Sequence, residues 1–195
     1  MAVPIKKQIK NVLKTSIQRV LHEDSITRWR SLGAKIGENV FIGFDVAIDE
    51  GFAPLLTIEE GAVISARCLI ILHDSAFNNV SGLPIKVGRV IIGREAYIGV
   101  NTVILCGVSI GARAIVGANA TVVSDIPTET VAFGSPARVA GSLSEFQQRY
   151  KEKMTSGGPF QYWDILPWRE RPQHLNSEEF DASYEELIKR FHGST

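Results

Sequence analysis

The chain predicts an all-β fold built as a stack of triangular coils, and three periodic observations predict it. Aliphatic residues recur every six positions at Ile92, Ile98, Ile104, Ile110, Val116 and Val122, after an earlier run at Ile36, Ile42, Ile48, Ile58, Ile64 and Ile70. Glycine follows directly at Gly37, Gly43, Gly93, Gly99, Gly111 and Gly117. A small or β-branched residue stands two positions before each later aliphatic: Val90, Ala96, Thr102, Val108, Ala114 and Ala120. A period of six fits neither the helical repeat of 3.6 nor simple hairpin alternation. It fits short strands joined by tight turns of one geometry, three to a coil, whose aliphatics stack into a continuous core. The glycines are expected where such corners demand positive φ.

Residues 1–32 precede the repeats. Within them, 4–22 place Ile5, Ile9, Val12, Leu13, Ile17, Val20 and Leu21 on one helical stripe, with Lys6, Lys7, Lys10, Lys14 and Arg19 around the rest. That pattern predicts an N-terminal amphipathic helix docked on the main domain with solvated lysines. A second reading lays it on an anionic membrane surface as a peripheral contact. The repeats occupy 33–141 and are interrupted twice. Four extra residues break the phase around Phe52–Leu55, and a spacing of 22 separates Ile70 from Ile92. The second break holds an excursion loop, 73–86, in the stretch ILHDSAFNNVSGLPIK. Residues 142–195 form an appendage. Ser144 with Gln147 reads as a capping box opening a C-terminal helix that ends near Gly157. An aromatic loop (PFQYWDILPWRERP) and a final helix from about Ser183 follow.

Composition bounds the function. The chain has 195 residues, enough for one sizeable core, with 21 Lys+Arg against 21 Asp+Glu. Balanced charge argues against a broad nucleic-acid footprint. Cys68 and Cys106 lack CxxC spacing and sit among apolar residues, as expected of small buried side chains in a reducing compartment. No apolar run is long enough to span a membrane, and the N-terminus lacks the apolar core of a signal peptide. A cytoplasmic protein is expected.

The [LIV]-G-x4 rhythm resembles the hexapeptide-repeat acyltransferases, closest to the maltose/galactoside acetyltransferase-like sugar O-acetyltransferases. Three stretches carry the resemblance: the pair His73-Asp74 before a loop, PIKVGRVIIGREAYIG, and the closing GANATVVSDIPTETVAFGSPARVAG. Two positions depart from the family pattern: Tyr97 replaces a frequent tryptophan, and Ser124 a frequent lysine. The resemblance covers 33–141 and implies a left-handed parallel β-helix, assembled as a homotrimer with active sites between subunits; the N- and C-terminal α-helices expected to flank it are outside the resemblance. It implies an acetyl-CoA-dependent O-acetyltransferase acting on a hydroxyl of a sugar or glycan precursor, with no metal. It puts the general base at His73. The pantetheine arm of acetyl-CoA would lie along Tyr97, Gly99, Gly117 and Ala118, with Arg138 on a phosphate.

Chemistry supports the first assignment. An alcohol attacks a thioester only as its proton leaves, and imidazole is the side chain that titrates near neutrality. In an arbitrary sequence, His73 would be a loop histidine bonding a carbonyl. Its place at the phase break, together with its match to the motif of the family the chain resembles, reverses that expectation. For an orienting carboxylate the candidates are Asp74, whose neighbouring position points it to the opposite face, and Asp45, one coil earlier, where Glu50 also lies. Alternatives stay open: N-acetylation of an amino sugar, or a non-catalytic β-helix assembly module. A γ-class carbonic anhydrase needs three histidine ligands, and the repeats hold one. Streptogramin- and chloramphenicol-type acetyltransferases carry a longer loop with tryptophan that is missing here.

Overall fold

A computed structural model of the chain describes residues 26–156. The expected N-terminal helix over 4–22, the aromatic loop and the final helix lie outside them. Compact units divide between Leu143 and Ser144, and each is considered by itself.

The repeats wind into coils with three parallel walls. One wall orders β1 (Lys35–Ile36), β4 (Leu56–Ile58), β9 (Val90–Ile92) and β12 (Ser109–Ile110). A second orders β2 (Phe41–Ile42), β5 (Val63–Ile64), β10 (Tyr97–Ile98), β13 (Ile115–Val116) and β15 (Thr130–Phe133), closed by antiparallel β16 (Arg138–Ser142). The third orders β3 (Ala47–Ile48), β6 (Leu69–Ile70), β11 (Val103–Ile104) and β14 (Thr121–Val122). Register places every periodic aliphatic on its counterpart. Ile36 lies beside Ile58, then Ile92 and Ile110. Ile42 lies beside Ile64, Ile98 and Val116, and Ile48 beside Ile70, Ile104 and Val122. All twelve are buried, each worth about 1.5–3 kcal/mol in transfer from water. Short strands suffice because each edge is covered by the next coil, so the walls expose ladder groups only at the two ends.

The in-phase glycines have a different cause from the one the sequence suggests. Positive φ falls two residues after the glycine position, on Asn39, Asp45, Arg67, Glu95, Asn101, Arg113 and Asn119, and on Gly61 and Gly107. Gly99 itself is needed for close approach: a Cβ there would stand 2.5 Å from the Ala118 nitrogen and 2.7 Å from the Gly117 carbonyl carbon. Gly37, Gly43, Gly93 and Gly111 meet the neighbouring coil's backbone in the same way. The coils stack so tightly at that point that no side chain fits. Gly99→Ala therefore costs about 1–3 kcal/mol by overpacking, read by chemical denaturation. Arg67→Gly, at a positive-φ corner, changes stability by less than about 1 kcal/mol, since relieved strain offsets added backbone freedom. The reverse ranking would restore the conformational explanation.

Among the described residues, buried polar side chains are few and satisfied. The Thr102 hydroxyl donates to the Gly99 and Gly117 carbonyls at 2.8 and 3.2 Å. The Cys68 thiol donates to the Gly99 carbonyl at 3.2 Å, and burial pushes its pKa up. Both cysteines are buried and free.

Before the first coil, residues 26–31 are helical (α1) and end at Gly33, φ 98. Trp29 belongs to the buried core cluster. The Arg30 guanidinium donates to the Ile36 and Gly37 carbonyls at 2.8 and 2.9 Å, satisfying acceptors on terminal strand β1. The first phase break is a 3-10 segment, Glu50–Leu55. The second is a hairpin of β7 (His73–Asp74) with β8 (Lys86–Val87), joined through α2 (Ala76–Ser81). The last described helix, α3, spans Leu143–Thr155, all but its first residue in the second unit. Ser144 thus lies inside the helix rather than at its cap, a shift of the boundary by two residues of the usual kind. No helix among the described residues is long and apolar enough to cross a membrane.

Candidate active site

The two phase breaks meet at one corner. Ile48 lies beside Ile70, and the Asp49 amide donates to the Ile70 carbonyl at 3.2 Å. The chain that leaves the coil after β6 toward His73 therefore departs directly over Asp49. A carboxylate oxygen of Asp49 accepts a hydrogen bond from Nδ1 of His73. Because a carboxylate only accepts, this bond places the imidazole proton on Nδ1 and leaves the Nε2 lone pair as the basic position. Asp49 is largely shielded, with a side chain 17% exposed, whereas the His73 side chain is 34% exposed. Asp49 is thus the more sheltered member of the pair. The Phe52 ring stacks on the imidazole, centroids 4.7 Å apart and planes 28° from parallel.

The carboxylates named from the sequence are placed elsewhere. Asp74 pairs across the hairpin with Lys86, and its carboxylate accepts from the Ala76 amide at 2.9 Å, opening α2. Asp45 occupies the corner between β2 and β3, in the left-handed conformation at φ 54. His73 leaves from the corner after the third wall, so a different turn carries its partner. Glu50 pairs with Arg28 at 2.8 Å. Sequence reasoning missed Asp49 and Phe52, although the count of 22 that links Ile48 to Ile70 puts Asp49 next in register.

The residues expected along an acyl donor fall on the second wall and the corner after it. Gly99 and Gly117 directly follow the register pair Ile98 and Val116, and Ala118 is exposed beside them. Tyr97, 44% exposed, accepts a hydrogen bond from Ser65 at 3.2 Å. The Gly99 and Gly117 amides already donate to Val116 and Ala132 at 2.8 Å each, and their carbonyls accept from Thr102. Their amides and carbonyls thus serve the coil, and the glycines themselves add no side chain there. Arg138 is exposed on β16, its guanidinium donating to the Ala137 carbonyl at 2.9 Å. This group and His73 stand at different corners of one coil stack.

Residues 89–124 match the family model for the bacterial transferase hexapeptide (six repeats). YvoF of Bacillus subtilis (strain 168), whose name assigns it provisionally to the acetyltransferases, is 29% identical over 153 residues, 77% of this chain and 86% of its own. The dTDP-3-amino-3,6-dideoxy-alpha-D-galactopyranose 3-N-acetyltransferase of Aneurinibacillus thermoaerophilus is 41% identical over 68 residues, 35% of each chain. Among solved structures, a hexapeptide-repeat-containing acetyltransferase of Vibrio cholerae O1 biovar eltor, complexed with acetyl coenzyme A, aligns with a TM-score of 0.50 and 31% identity. That alignment covers 57% of this chain and 61% of the Vibrio one.

Proposed function

We propose that this hexapeptide-repeat acyltransferase moves an acetyl group from acetyl-CoA to a hydroxyl of a sugar or glycan precursor, with His73 as general base. The observation that carries the reading is the Asp49–His73 hydrogen bond, which leaves Nε2 free at a part-exposed position. Nε2 takes the acceptor's proton as its oxygen bonds to the acetyl carbon. Asp49 stabilises the imidazolium so formed. The carbon–sulfur bond then breaks, and the proton on Nε2 is available to the departing thiolate. In the direct transfer no acyl group rests on the protein.

The strip of Tyr97, Gly99, Gly117 and Ala118 suits an extended pantetheine arm because, beside the exposed Tyr97 ring, its other residues are two glycines and an alanine. Arg138 supplies a cation at its far end for a phosphate. With Nε2 and that strip at separate corners, we place the complete site between subunits of a homotrimer of left-handed β-helices, working in the cytoplasm where acetyl-CoA is available. The sugar N-acetyltransferase of Aneurinibacillus favours a second reading, transfer to the amine of an amino sugar, which uses the same base. Purified protein incubated with acetyl-CoA and pooled sugars, amino sugars and nucleotide sugars, followed by mass spectrometry, tests both. An O-acetyl ester labile to mild base supports the first reading, and a stable amide supports the second. No acetylated product and no acetyl-CoA binding would leave a non-catalytic β-helix.

A further inference from the structure

A single hydrogen bond at Nδ1 fixes one point of an imidazole and leaves the plane of the ring free to swing about it. The structure supplies a second restraint from the same turn. Phe52 lies three residues beyond Asp49, in the four-residue interruption, and its amide donates to the Asp49 carbonyl at 3.1 Å. Its φ of −121° and ψ of 17° break the regularity of the 3-10 segment. That conformation accompanies a ring stacked on His73. The ring also packs against the buried core cluster, and Arg28 pins the turn through Glu50.

We infer that Phe52 is a positioning residue: its ring holds the His73 imidazole in the plane that aims Nε2 at the acceptor. The first phase break, on this account, exists to seat the histidine carried by the second. Asp49 sets the proton and Phe52 sets the plane, and both ride on one turn tied to the core. Aromatic stacking is a modest interaction, so its removal loosens the base without abolishing it. The inference rests on His73 being the base.

Phe52→Leu keeps the apolar contact with the core and removes the stacked ring. It is expected to lower kcat about 3- to 10-fold with KM for the acceptor unchanged, and Phe52→Tyr is expected to restore the rate. A purely structural Phe52 would instead alter stability and leave kcat alone. The histidine's own ring protons give a readout that needs no substrate. In the wild-type protein NMR should find the His73 carbon-bound protons displaced upfield by the Phe52 ring, and the displacement should vanish in Phe52→Leu. Undisplaced protons in the wild type, where folding of a variant is no concern, overturn the positioning role even if His73 is the base. Unimpaired turnover by a folded His73→Ala variant overturns the reading of the base instead, and leaves the ring shifts as they were.

Discussion

Replacing His73 with alanine is expected to lower kcat for acetyl transfer by about 10²- to 10⁴-fold, the range that a positioned general base supplies. The side chain is part-exposed on a two-residue strand and is absent from the core cluster, so the variant folds. Its thermal melt and acetyl-CoA affinity should match those of the wild type. Asp49→Asn separates two contributions. The amide retains shape but lacks the charge that stabilises an imidazolium, and it can offer its own N–H to Nδ1, favouring the wrong tautomer. Its kcat should therefore fall, though less far than in His73→Ala. Asp74→Asn, whose carboxylate serves a helix start, and Asp45→Asn, at a different corner, should remain within about twofold of wild type. A loss for Asp45→Asn comparable to that for Asp49→Asn would refute the assignment of the orienting partner.

The largest effect on stability is expected from Trp29→Ala, about 3–5 kcal/mol. Every inner coil has a coil on each side, but Ile36, Ile42 and Ile48 of the first have one neighbour only. Trp29, 5% exposed and part of the same core, supplies burial that no coil can. Its removal also loosens the flanking residues that reach the coil, Arg30 on the β1 carbonyls and Arg28 on Glu50. A domain with a total stability of about 5–15 kcal/mol loses a large fraction. Urea denaturation measures the loss. A change below about 1 kcal/mol would mean that the first coil closes without it.

Much of this architecture is legible in the residues because the repeat is nearly one-dimensional. Each aliphatic stacks on residues that a fixed count predicts, so the spacing alone pairs Ile92 with Ile110 and Ile98 with Val116. The same count located both phase breaks and set His73 at the second. Composition and period could not say why glycine keeps its phase. The reason, a neighbouring backbone within 2.6 Å of where a Cβ would stand at Gly37, Gly43, Gly93, Gly99 and Gly111, is a distance between coils and not a property of one corner. Nor could they name the partner of His73. Asp45, Asp49, Glu50 and Asp74 are similar carboxylates in sequence, and only the direction in which each turn points separates them. The periodic chain by itself determined the coils, the core columns and the histidine at the break. The tertiary structure alone decided that Asp49 and Phe52 hold that histidine, because the direction in which their side chains leave the turn is settled only when one coil lies on the next.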